Sequence, residues 1–220
     1  MSIKDNYKVK SIDSFQCKDW LLNKHYARRM PPISFSFGLF KENILIGVMT
    51  FGYLGGNAND TPLFDGYSIN ELNRLCVNDG LDKNVLSYFV SNGLNLLPKP
   101  MAIISYADAG MGHHGYIYQA TNWVYCGMTK GDILLTNGNE TIHRKSFYDK
   151  YGSGSQEMIK SKGYDIIKDH PKHRYFYFLG NKKQIADMKT KLKFNVLEYP
   201  KGENKRYDAS YKPNVQIGLF

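Results

Sequence analysis

The sequence predicts a mixed α/β protein in which one mostly antiparallel central sheet is flanked by helices. Three observations lead there. The apolar runs are strand-sized and bounded by turn residues, one stretch has a clear helical period, and the two kinds of segment alternate along the chain. With 220 residues, 42% hydrophobic and 22% charged, the chain can bury one good core, so a globular domain is expected rather than disorder.

In order, residues 7–12 read as a first strand. Ser14 then caps a helix running to about residue 23, with Phe15, Trp20, Leu21 and Leu22 on or near its apolar face. Pro31 and Pro32 end it. Residues 33–40 and 44–51 form a hairpin through Lys41, Glu42 and Asn43, and residues 52–66 a long Gly/Asn-rich loop. A central strand is expected at 71–77. A helix follows at 83–97, where Val85, Leu86, Phe89, Val90, Leu94 and Leu97 recur at helical spacing. Residues 101–106 read as a buried strand, 116–122 as a short helix, 123–126 and 133–136 as strands. A helix at 141–151, a strand at 174–179 and a helix at 182–192 complete the order. The whole is read as a single domain over 1–199, basic from 144 onward, with a polar, turn-rich tail at 200–220.

Cys17, Cys76 and Cys126 are odd in number and widely spaced, which argues against a disulfide framework or a zinc site. With no apolar run of membrane length and no secretory leader pattern, a cytoplasmic location is expected. Charge is more selective. The 29 basic and 20 acidic residues give +9; residues 1–143 carry 12 of each, so the whole excess lies in 144–220, with 17 and 8. Cations interleaved with rings, as in Arg144, Lys145, Phe147, Tyr148, Lys150 and Tyr151 and again in Lys172, Arg174, Tyr175 and Tyr177, suit a polyanion such as nucleic acid.

The densest chemistry lies between Ser105 and Trp123, where a strand runs into a turn rich in Gly, His and Tyr. Asp108 falls at the end of that strand, where α/β sheets present ligand-binding groups. It can serve as a general base, with Tyr118 as a general acid or a stacking ring; alternatively Asp108 simply caps the turn. The adjacent His113 and His114 lack the spacing of a zinc site. His25 and Tyr26 form a second constellation, followed by Arg28 and Arg29, which are placed to meet phosphates. A histidine at a helix C-terminus is otherwise expected to be a cationic cap.

Together these segments resemble the Mom family of bacteriophage DNA-modification enzymes, itself placed among the GNAT-like acyltransferases. The resemblance rests on His25-Tyr26, on Glu71 to Leu75, on the block from Tyr106-Ala107-Asp108 to Asn122-Trp123, and on the strand from Arg174 to Leu179. It implies a transferase that alters the exocyclic amine of adenine in duplex DNA to a carbamoylmethyl (acetamido-type) form, shielding phage DNA from restriction. By position it marks His25, Tyr26, Asp108 and Tyr118 as active-site residues. Arg74, Ser105, His114, Gln119 and Asn122 become substrate or cofactor contacts. DNA contacts are expected from Arg28, Arg29, Arg144, Lys145, Lys150, Lys172 and Arg174. The implied partners are double-stranded DNA and a small-molecule donor, acetyl-CoA or another acyl or carbamoylmethyl donor, with no membrane; a homo-oligomer is compatible. His25, Tyr26 and Asp108 are also of the ligand type an iron-like metal takes.

One departure stands out. GNAT enzymes hold the donor's pyrophosphate in a glycine-rich turn after the fourth strand, whereas residues 75–84 here contain one glycine and the carboxylates Asp79 and Asp82. Two further readings follow from the same residues. One is a conventional GNAT N-acetyltransferase acting on a protein or small amine. The other is a non-catalytic DNA-binding protein that blocks nucleases by occupancy.

Overall fold

The computed structural model describes residues 3–54, 66–131, 133–168, 170–202, 211 and 213. A short helix α1 (Ile3–Asn6) leads into β1 (Tyr7–Ser11), which pairs antiparallel with β2 (Phe35–Lys41). Strand β3 (Ile44–Gly52) returns along β2 as the expected hairpin. Its two-residue loop holds Glu42 and Asn43 at φ 49 and 66, the mirror-image turn whose twist matches paired strands. β3 pairs antiparallel with β4 (Ser68–Val77). A crossover through helix α2 (Val85–Leu96) then leads to β5 (Met101–Asp108), which lies parallel to β4. After α3 (Tyr116–Ala120), β6 (Val124–Met128) forms the far edge.

Between β6 and the last central strand the chain builds a second, three-stranded sheet from β7 (Ile133–Thr136), β8 (Thr141–His143) and β9 (Asp165–Lys168), with helices α4 (Arg144–Tyr151) and α5 (Gln156–Ser161). It has its own small core of Leu135, Phe147, Ile159 and Tyr164. Strand β10 (Lys172–Leu179) then inserts between β5 and β6, and helix α6 (Lys182–Thr190) packs behind it. The seven-stranded order is β1-β2-β3-β4-β5-β10-β6, antiparallel at every junction except β4–β5. The predicted class, a mixed and mostly antiparallel sheet flanked by helices, is therefore the observed one.

One face of the sheet is covered by α2, whose Val85, Phe89, Val90 and Leu94 meet Met49, Ile103, Trp123 and Tyr175 in the main core. The other face carries two separate covers. Cys17, Trp20 and Leu21 pack on β2, β3 and β4, while Met188 of α6 packs on Ala102, Ile104, Phe176 and Phe178 of β5 and β10.

Local corrections follow from packing. The first helix is replaced by a 3₁₀ turn (Ser14–Cys17) and a π-type turn (Trp20–Lys24), closed by His25 N–H donating to Trp20 O at 2.9 Å. Asp13 rather than Ser14 stands at the cap, and Phe15, expected inward, is 72% exposed because the tighter turn rotates it out. Residues 141–143 pair as β8 before α4 begins. α5 and β9 have too few apolar residues to be legible as elements. Most of the residue 52–66 loop and of the residue 200–220 tail lies outside the described residues. The three cysteines are buried and unlinked. No described helix is long and apolar enough to cross a membrane.

Candidate active site

β4 and β5 pair only over Ser68–Glu71 with Met101–Ile104. Beyond Glu71, β4 continues along β3 and β5 continues along β10, so the two parallel strands part. Main-chain groups at a parting need other partners. The Ser105 hydroxyl donates across it to Leu72 O at 2.7 Å and accepts from the Tyr118 phenol at 2.8 Å. Ser105 and Tyr118 are both buried, and Tyr118 packs between Trp123 and Tyr175 with ring centroids 5.0 and 5.1 Å away. Tyr118 thus forms the floor of the parting. Its ring has no open face for a base to stack on, and burial raises its pKa well above the ordinary phenol value.

Around the same parting the structure gathers residues from four segments. His25 closes the π-type turn, stacks on Tyr26 at 4.5 Å and accepts the Ala27 N–H on Nδ1 at 3.1 Å. Tyr26 meets His113 edge-on at 5.8 Å and is only half-buried. His113 follows from Asp108, whose carbonyl accepts its N–H at 3.0 Å. The Asp108 carboxylate also accepts the Gly110 N–H at 2.9 Å, so Asp108 does cap its turn while remaining half-exposed at the strand end.

Electrostatics couple these groups. Burial, then the Arg74 and His113 charges, press the His25 pKa down to about 3. The expected cationic cap is therefore a neutral imidazole, because desolvation outweighs the helix-end effect. Arg74 is shifted down by burial and by Arg29, opposed by Tyr26 and Glu71. Its Nη1 donates to Asn73 O at 2.6 Å, and its buried Nε has no hydrogen-bond partner among the described residues. Burial raises Glu71, on the same strand as Arg74, above its ordinary carboxylate value, against the pull of Arg74, Lys172 and Arg29. Burial lowers His113, while Asp108 opposes that shift.

Glu71 and His113 are the members that sequence reasoning did not place in the site. The available signal for Glu71 was a carboxylate between Asn70 and Leu72, both buried, in a central strand. An ionisable side chain kept there against its desolvation cost points to use.

The remaining candidates lie elsewhere. His114 and Gln119 line a separate cleft of about 480 Å³ with Tyr116, Glu198, Tyr199 and Lys201. There Gln119 donates to His114 O and Pro200 O at 3.2 and 3.3 Å. Asn122 is exposed at φ 61, a left-handed residue ending α3. Arg28 and Arg29 are exposed beside Tyr26, and Lys172 stands opposite Asp108 in the β5–β10 ladder. Arg174 lays its guanidinium over Phe194 at 3.9 Å. In the small second sheet, Arg144 donates to Gly154 O at 2.8 Å, while Lys145 pairs with Asp149 at 2.9 Å and Lys150 with Glu140 at 3.1 Å.

Among the described residues, no group of three or more His, Cys, Asp or Glu is placed to hold a metal ion. The turn from β4 to α2 carries its two carboxylates already engaged: Asp79 lies 3.9 Å from the Lys24 ammonium, and Asp82 accepts the Tyr7 hydroxyl at 2.6 Å. It does not offer the glycine cradle that a pyrophosphate would use.

The neutral His25 gives a pH prediction. An unfolded chain protonates this ring near its ordinary value of 6.5, the folded chain only near 3. Stability from the neutral ring is thus complete above 6.5 and is lost as pH falls from there toward 3, by roughly 1.4 kcal/mol per unit at most. His25→Asn keeps an acceptor for Ala27 N–H and removes the titration. Melting curves from pH 7 to 4 should show a shallower acid decline for the variant; identical slopes would assign the decline to other groups.

A mostly antiparallel sheet, with one parallel pair parting over convergent ionisable groups, is the frame expected of a GNAT-like transferase. The chain belongs to the Mom protein family, whose family model matches residues 6–201. It is 28% identical over 204 residues to the Methylcarbamoylase mom of Escherichia phage Mu, covering 88% of this chain and 83% of that protein. Among solved structures it is similar to Arabidopsis thaliana Naa50 in complex with the bisubstrate analogue CoA-Ac-MVNAL. The identity is 8% and the TM-score 0.49, over 78% of this chain and 98% of that one. It is also similar to a GNAT family acetyltransferase from Elizabethkingia anophelis with acetyl-CoA bound, at 12% identity and TM-score 0.46, over 80% and 99% of the two chains.

Proposed function

We propose that this chain is a DNA-modifying transferase that places a carbamoylmethyl (acetamido-type) group on the exocyclic amine of adenine in duplex DNA. The observation that supports it is the parting of β4 and β5 in a Mom-family chain, with Asp108, His25, Tyr26, Arg74, Glu71 and Tyr118 around it. In this reading the adenine leaves the helical stack, at a cost on the order of a few kcal/mol, and that energy is recovered inside the protein. Tyr26 supplies the stacking face, since Tyr118 is enclosed.

The amine is a weak nucleophile because its lone pair is delocalised into the purine. As the nitrogen forms its new bond to the donor carbon, the donor's leaving group departs with the bonding pair and an N–H proton passes to Asp108. The neutral His25 orients the donor without adding a positive charge beside Arg74. Arg74 balances negative charge building on the leaving group. For this product the donor is a small molecule that carries the carbamoylmethyl group whole, since simple acyl transfer would leave an N-acyl amine.

The test is mass spectrometry of nucleosides from DNA of cells expressing the chain. A new adenosine mass that survives deproteinisation is expected. An unchanged nucleoside profile, with nuclease resistance lost on deproteinisation, would favour blocking by occupancy. Acetylation of proteins or small amines without DNA would favour a conventional acetyltransferase.

A further inference from the structure

We propose that the outward face of α6 and the turn after it, carrying Lys182, Lys183, Lys189 and Lys193, is the surface that holds the phosphates of duplex DNA. The inference rests on the DNA reading above and moves the footprint away from α4. The charge excess of the second half is not where Arg144, Lys145 and Lys150 sit. Residues 129–171 carry 7 basic and 6 acidic side chains, whereas residues 172–202 carry 8 and 2.

Packing decides how that charge is shown. Ile185 and Met188 turn into the core formed by Phe176 and Phe178, which leaves Lys182, Lys183, Lys189 and Lys193 exposed. Lys182 and Lys189 are two turns apart on one side, about 10 Å along the helix axis. The acid of this helix, Asp187, is already occupied by the Tyr67 hydroxyl at 2.8 Å and Lys191 at 2.9 Å. Of the exposed lysines, Lys183 also feels the Asp187 charge, without a direct ion pair to it among the described residues. The Tyr67 bond also ties the helix to the residue just before β4, the strand that bears Glu71 and Arg74. Helix α6 and the turn that leads into His25 cover the same face of the sheet, the one opposite α2.

Helix physics adds an independent argument. Lys182 and Lys183 occupy the first turn, where the macrodipole disfavours cations. The helix starts there with the aid of a reciprocal cap, Gln184 N–H to Asn181 Oδ1 and Asn181 N–H to Gln184 Oε1, each 2.9 Å. A lysine pair that works against its own helix fits a surface kept for a polyanion better than one kept for stability.

The experiment measures binding of a 30-base-pair synthetic duplex by fluorescence anisotropy across 50–200 mM salt. It compares the full chain, a combined K182Q/K183Q/K189Q/K193Q variant, and R144Q/K145Q/K150Q. At about 0.9 per phosphate contact, the slope of log K against log salt should fall by roughly three to four units in the first variant, and affinity near 0.1 M salt by two to three orders of magnitude. It should stay unchanged in the second. K182Q/K183Q should melt higher than the parent while binding DNA more weakly, a pairing that a purely structural role would not give. Equal slopes for parent and α6 variant overturn the assignment, as does binding to anionic phospholipid vesicles without binding to the duplex. Nucleoside masses keep the two readings apart. A parent that modifies adenine while its α6 variant keeps full affinity refutes the surface alone, whereas a slope loss without any new adenosine supports the surface and refutes the modification.

Discussion

Asp108→Asn is expected to reduce adenine modification by roughly two to four orders of magnitude, the range for a lost general base, while duplex affinity changes less than about twofold. The substitution isolates the charge. Asparagine keeps an acceptor for the Gly110 N–H now held at 2.9 Å, so the turn that presents His113 should survive. What disappears is the group that takes the amine proton, together with the negative charge that opposes the lowering of the His113 pKa. The measurement is single-turnover modification of a defined duplex, read as nucleoside mass, with affinity measured in parallel. Glu71→Gln is the informative companion. Modification kept by Asp108→Asn and lost by Glu71→Gln would hand the proton to the buried carboxyl on β4 instead.

The second large effect is structural and should reach the site through packing. Gly115→Ala places a methyl group 2.4 Å from the Tyr175 ring, at a residue whose φ is +77. The left-handed backbone alone costs an alanine about 1–2 kcal/mol. Displacing the fully buried Tyr175 adds about 1–3 kcal/mol of overpacking. Together these are a large share of the roughly 5–15 kcal/mol that holds a domain folded. Tyr175 donates its hydroxyl to the His114 carbonyl and packs on Tyr118, so its movement also disturbs the floor beneath the parted strands. The expected result is a melting temperature several degrees lower and a fall in modification even where the protein remains folded. A variant with the parent's melting curve would mean that Tyr175 has room that the close contact denies.

Much of the fold was legible because its signals are local. The period of α2, with Phe89, Val90 and Leu94 facing inward, and the β2–β3 hairpin with its tight Glu42-Asn43 turn were readable from spacing alone. So was Asp108 at the end of a buried strand. The first helix was misread for a non-local reason. Trp20 and Leu21 are drawn into contact with Phe40, Val48 and Cys76, and the backbone tightens into 3₁₀ and π-type turns to place them.

The sequence by itself determined the class of fold, the family resemblance, and four side chains worth suspecting: His25, Tyr26, Asp108 and Tyr118. Only the tertiary structure decided what those side chains are. It enclosed Tyr118 as a floor and neutralised His25, and it brought in Glu71 and His113. It also set the exposed cations of α4 against Gly154 O, Asp149 and Glu140. The physical reason is common to all of these. Burial, desolvation and charge pairing depend on which segments meet in space, and here the meeting place is created by two parallel strands that part, a feature set by pairing across the whole sheet.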